Sequence, residues 1–91
     1  MRKRILIFIV ERKNIMTELE WMDIFSTNLQ EMLEDARCSQ EELAEDTGLT
    51  QATISRYINK KQLPGLKAII NISYALGCDL YDLIDFGDKI D

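Results

Sequence analysis

Apolar positions recur along this chain at helical spacing, in blocks separated by residues that start or stop helices. Met22, Phe25, Leu29, Met32, Leu33 and Ala36 follow one another at steps of 3, 4, 3, 1 and 3, which makes one stripe along a helix. Thr17-x-x-Glu20 is a capping-box pattern, so this first helix begins at Thr17 or later, near Asp23, and ends by Asp35 to Arg37. Ser39 and Glu42 repeat the capping pattern for a short second helix with Leu43 and Ala44 inward. Gly48 ends that helix with φ > 0, and Leu49 plugs the corner. Thr50 caps a third helix whose apolar face is Ile54, Tyr57 and Ile58. In the following loop Pro64 tolerates a helix entry and Gly65 can cap. Leu66, Ile69, Ile72, Ser73 and Leu76 form the core face of a fourth helix, which Gly77 ends. Ile70 and Tyr74 are apolar surface beyond that face; they pack under the next helix or join a dimer contact. Asp79 caps a fifth helix from Leu80 to Ile84, with Leu80, Leu83 and Ile84 inward.

The pattern predicts an all-α, compact five-helix domain over residues 16–86, with an extension at 1–15 and an acidic tail at 87–91. A chain of 91 residues makes one domain with a modest core, and 46% apolar content excludes disorder as the default. The extension holds an apolar run, Ile5 to Val10, between two basic clusters. Six residues are too few for a bilayer, which needs about twenty, and no small-x-small cleavage site follows, so neither a membrane partner nor a signal peptide is expected. Its β-branched and aromatic content predicts a strand. The most economical partner is its own copy, in a two-stranded dimer ribbon. The alternatives are a strand along the helices of its own domain, or upstream sequence preceding a true start at Met16. No repeat or linker is visible, so no attached ligand-sensing or self-cleaving domain is expected.

With no histidine, and with Cys38 and Cys78 far apart and outside any CxxC spacing, neither a metal site nor a cofactor is expected. Both cysteines read as small buried hydrophobes in a reducing cytoplasm, a disulfide between them being the alternative. The net charge of −5 is unevenly spread. Residues 1–14 hold five Lys/Arg and one Glu, and residues 15–91 hold six Lys/Arg against fifteen Asp/Glu. Four of those six cations, Arg56, Lys60, Lys61 and Lys67, fall on or just after the third helix, and the acids fall elsewhere. One basic face and an acidic remainder are therefore expected; the alternative is scatter over solvated faces.

The stretch from Gln40 to Asn59, QEELAEDTGLTQATISRYIN, reads as two helices joined by a tight turn. Its outer face carries Gln51, Ala52, Ser55, Arg56 and Asn59, and is almost free of acid. Amide, hydroxyl and guanidinium groups on the first turns of a helix suit the edges of bases, and a helix N-terminus suits phosphate. An ordinary helical hairpin would not require the small residue, turn glycine, corner leucine and polar face to fall in register.

SQEELAEDTGLTQATISRYINKK resembles the motif of the Cro and lambda-repressor-like family, also called the xenobiotic response element family. The likeness continues through LPGLKAIINISYALGCDLYDLI and covers about Trp21 to Ile84. Lys60-Lys61 departs from it, standing where the family usually has Gly. Symmetry and the spare apolar surface lead to the expectation of a homodimer that places two recognition helices in successive major grooves of a palindromic double-stranded site, about 34 Å apart. The resemblance implies that Gln40 and Asn59 hold phosphates, with Lys60 and Lys61 adding charge. Gln51 would read adenine and Arg56 guanine, while Ala52 and the methyl of Thr50 or Thr53 touch thymine methyls. Ser55 either joins them or fills solvent-facing space.

The function expected is that of a small transcriptional regulator, a repressor. Its alternatives are the DNA-binding antidote of a toxin–antidote pair, gripping its partner through the N-terminal segment or tail, and a protein-interaction module that has lost DNA binding. An enzyme is not expected: no His is present, no Ser or Cys has a base beside it, and no Gly-rich phosphate loop exists.

Overall fold

A computed structural model describes residues 16–85 and residue 87. The strand expected over Ile5 to Val10 lies outside the described residues, as do Phe86 and residues 88–91. The described residues form five helices: α1 Glu18–Ala36, α2 Gln40–Thr47, α3 Gln51–Ile58, α4 Leu66–Leu76 and α5 Leu80–Ile84. None is long and apolar enough to cross a membrane.

Of the two starts open for α1, the earlier one is used. Thr17 Oγ1 accepts from the Glu20 N–H at 3.1 Å, and the Glu20 carboxylate accepts from the Thr17 N–H at 2.9 Å. That reciprocal pair satisfies donors the first turn would otherwise leave open. The helix packs against α3, α4 and α5, while α2 packs on α3 and α4. With three helical neighbours, α1 buries a band wider than one stripe: Ile24, Ser26 and Asn28 are buried beside Phe25, Leu29 and Leu33. Met32 packs on the core while partly exposed.

Two expected core positions are corrected. Ala36 is exposed, because the last buried residue of α1 is Leu33, a turn earlier. Leu66 is 66% exposed. It opens α4 and lines, with Met16, Trp21, Ile69 and Ile84, a shallow apolar groove of about 490 Å³ instead of the closed core. The remaining α4 face is as expected, with Ile69, Ile72 and Ser73 buried.

The core is Phe25, Leu29, Leu33, Leu43, Ile54, Tyr57, Ile69, Ile72 and Leu83. Phe25 meets Tyr57 edge-on with ring centroids 5.9 Å apart, and Trp21 extends the aromatic row at 5.9 Å from Phe25. Burial pushes the Tyr57 phenol up, against a smaller opposing pull from Arg56. Two buried polar side chains on α1 tie the helix ends together. Ser26 donates its hydroxyl to the Ile58 carbonyl at 2.6 Å, and the Asn28 amide donates to the carbonyls of Leu83 and Asp85, both at 3.0 Å. Cys38 and Cys78 are half-buried, unbridged and packed against the core.

Truncating Asn28 leaves two carbonyls at the end of α5 without their donor. Asn28→Ala is expected to lower unfolding stability by about 2 kcal/mol. In urea titration the midpoint falls while the slope holds; an unchanged midpoint would show those carbonyls satisfied by solvent.

Candidate nucleic-acid interface

The turn between α2 and α3 is closed by local bonds. Ser39 Oγ accepts from the Glu42 N–H at 3.0 Å, with the Glu42 carboxylate returning the bond to the Ser39 N–H at 2.9 Å. Gly48 is left-handed at φ 79° and donates its N–H to the Ala44 carbonyl at 2.9 Å. No atom lies within 4 Å of where a Cβ would sit, so glycine is needed there for its conformation and not for space. Thr47 Oγ1 donates to the Leu43 carbonyl at 2.7 Å and accepts from the Leu49 N–H at 3.3 Å. Leu49 is half-buried against the core, the corner plug expected of it.

Thr50 caps α3 by accepting from the Thr53 N–H at 3.0 Å. Ile54 and Tyr57 are buried, which turns Gln51, Ala52 and Arg56 outward, all exposed. The first turn of α3 carries no acid. Arg56 is held by two partners: its Nε donates to Gln62 Oε1 at 2.6 Å and its Nη2 to Thr53 Oγ1 at 3.1 Å. Asn59, exposed after the last turn, folds its amide back onto the Ser55 carbonyl at 2.9 Å and the Ser55 hydroxyl at 3.1 Å. Half-buried Ser55 therefore orients Asn59. Gln40 is the first residue of α2 and is half-buried.

The Lys60-Lys61 departure resolves into a specific geometry. Lys60 sits left-handed at φ 61°, the conformation in which glycine is at ease. Its N–H donates to the Tyr57 carbonyl at 3.2 Å, and the Lys61 N–H donates to the Arg56 carbonyl at 2.8 Å. This pair of bonds is the Schellman ending of a helix. The strained lysine is held by its head group, since Lys60 Nζ lies 2.6 Å from Asp23 Oδ1 on α1. Lys61 and Lys67 are exposed.

The acids do not all lie away from this face. Ser39, Glu41, Glu42, Ala44, Glu45 and Gln51 line one open cleft of about 420 Å³ at the start of α3. Three carboxylates thus stand on the α2 side of Gln51, and the basic surface begins at Arg56.

A capped helix, a left-handed glycine and a second helix with a polar outer face, held by three more helices, make a helix-turn-helix. The family model of the Cro/C1-type HTH DNA-binding domain matches residues 28–89. The chain belongs to that family. Its match runs from within α1 through all four following helices. No curated protein and no solved structure matches the chain. As a Cro/C1-type domain the fold is one that binds double-stranded DNA, and its family is normally non-enzymatic.

Three pairings at this face carry no signal in the sequence. Gln62 lies six residues beyond Arg56, across a helix end where no periodicity applies. Asp23 and Lys60 are far apart in sequence. The methyl group of Thr53 is the part that the resemblance brings forward, whereas its hydroxyl is what meets Arg56.

A left-handed L-residue costs about 1–2 kcal/mol more than glycine, and an exposed ion pair returns roughly 0.2–1 kcal/mol. Lys60→Gly is therefore expected to raise unfolding stability by about 0.5–1 kcal/mol. Thermal and urea unfolding of the variant checks the sign, and a loss of stability would mean the Asp23 pair outweighs the backbone strain.

Proposed function

We propose that this protein is a small cytoplasmic transcriptional regulator acting as a repressor, in which α3 enters the major groove of an operator. The observation that carries the reading is the outer face of α3: Gln51, Ala52 and Arg56 stand exposed on a helix whose opposite face is anchored in the core. In this assignment Gln51 is bidentate to adenine, the Arg56 fork takes guanine O6 and N7, and Ala52 with a threonine methyl meets a thymine methyl. Thr50, as the cap of α3, offers that methyl at the helix entry. Gln40, Lys60 and Lys61 take phosphates, and Asn59 takes one by exchanging one of its two amide bonds to Ser55 for a phosphate oxygen; these contacts set the register without reading sequence. Ser55 acts through Asn59.

The regulator is further proposed to bind as a homodimer on a palindromic site. Apolar side chains left in solvent support this: Tyr74 is 82% exposed and Tyr81 64%, and Ile70 is exposed one turn before Tyr74. A single domain with an eight-residue reading helix contacts few base pairs, and a two-fold copy doubles the site.

Binders selected from a random duplex library test the reading. Arg56→Ala is expected to relax one base pair per half-site, losing about 1–3 kcal/mol of discrimination there. Lys60→Ala is expected to weaken all sequences alike and reduce the salt slope by about one. If the wild-type protein enriches no sequence even at low salt, the repressor reading fails. For the dimer, Tyr74→Glu is expected to shift sedimentation from dimer to monomer with unchanged circular dichroism; a variant that stays dimeric would place the contact elsewhere.

A further inference from the structure

Arg56 carries five N–H donors in a rigid fork. Two are used inside the protein, the Nε–H on Gln62 Oε1 at 2.6 Å and one Nη2–H on Thr53 Oγ1 at 3.1 Å. Thr53 Oγ1 is in turn 2.9 Å from Oγ1 of Thr50, the cap of α3. The side edge of the guanidinium is thus braced by a row running from the helix cap to the loop beyond the helix. Both N–H groups of Nη1 and one of Nη2 stay free, and they include the end-on pair that meets two acceptors at once. An Nε–H can only donate, so Gln62 must turn its oxygen to Arg56 and its NH2 away. Gln62 is placed by the left-handed turn at Lys60 and followed by the buried Pro64.

The geometry points to Gln62 as a positioning residue for base readout: with Thr53 it fixes the Arg56 guanidinium by its side edge, so that the end-on edge is aimed before DNA arrives. The inference rests on the assignment of Arg56 as a reader of bases. A long side chain that enters a complex already oriented loses less freedom on binding. The benefit falls on the one base pair Arg56 meets, whereas a phosphate contact by Gln62 would benefit every sequence equally.

The test runs the random-duplex selection on the wild type, Gln62→Ala, Gln62→Glu, Arg56→Ala and the Arg56→Ala/Gln62→Ala double variant. The Arg56 Nε–H resonance is followed by NMR in the free wild type and in Gln62→Ala. Gln62→Ala is expected to lower the preference at the Arg56 base pair about three- to tenfold and to leave other positions unchanged. Gln62→Glu keeps an acceptor for Nε–H, so it should retain that preference while its added charge weakens all sequences alike. The double variant should be no looser at that base pair than Arg56→Ala. The Nε–H signal should be protected from exchange in the wild type and lose that protection in Gln62→Ala.

A Gln62→Ala site identical to wild type, or one loosened evenly at all positions, overturns the inference and leaves the regulator reading standing. An Nε–H equally exposed to exchange in both proteins overturns it as well. If the wild type selects nothing, the regulator reading falls, and this inference falls with it.

Discussion

An eight-residue helix is too short to persist in water on its own, because the cost of its first turn is spread over too few bonds. The exposed face of α3 therefore exists only because its other face is buried. Ile54 and Tyr57 enter the core, Tyr57 meets Phe25 edge-on, and Ser26 holds the Ile58 carbonyl at 2.6 Å. These contacts all fall on one side of the helix, and two of the named partners stand on α1. The long helix thus acts as the platform on which α3 is set; the buried Ser26 belongs to that task, while Asn28 holds the end of α5. A hydroxyl and an amide in the core would cost stability if unpaired. Here each meets a backbone carbonyl that a helix end leaves without an intrahelical partner.

Helix exits show a second constraint. Gly48 and Gly77 end α2 and α4 in the left-handed conformation, whereas α1 and α3 end on Arg37 at φ 53° and Lys60 at φ 61°. The bond patterns at α1, α3 and α4 are nevertheless alike: Cys38 donates to Leu33, Lys61 to Arg56 and Cys78 to Ser73, each closing a six-residue ring over the helix end, whereas α2 closes with the Gly48 N–H on the Ala44 carbonyl. A cation at such a place gives up backbone ease for charge beside the last carbonyls, where the helix dipole favours it. At α3 that trade sits beside the exposed polar face of the helix, and backbone strain of this kind collects at binding sites.

Much of the fold was legible because its signals are local. Capping pairs three residues apart, a glycine after a helical stripe and apolar steps of three and four located α2 to α5, with α4 and α5 matching their expected bounds. What stayed hidden is non-local. No pattern in the sequence tells that Asn28 reaches the end of α5, that Asp23 meets Lys60, or that Gln62 braces Arg56, since each joins residues across a turn or across the bundle. Leu66 misled for a related reason. A stripe says which side of a helix is apolar, and only the packing of the neighbours says how far along the helix that side is covered. The exposure of Gln51, Ala52, Arg56 and Asn59 follows from the buried positions opposite them, whereas Ser55 is half-buried and the hydrogen bonds among these side chains left no mark in the sequence.

Charge gives the last step. A chain of net charge −5 that belongs to a DNA-binding family cannot rely on a uniform attraction to phosphate. Within the described residues the cations near α3 are clustered at its end, and Glu41, Glu42 and Glu45 flank its beginning across the cleft with Gln51. Approach of a polyanion is then favoured at one end of the helix and opposed at the other. Such a gradient lowers affinity for any duplex alike, so discrimination between sequences is left to the hydrogen bonds at the base edges. Carboxylates beside α3, which look misplaced in a DNA-binding family, weaken the attraction common to all duplexes and leave a larger share of binding to contacts that depend on sequence.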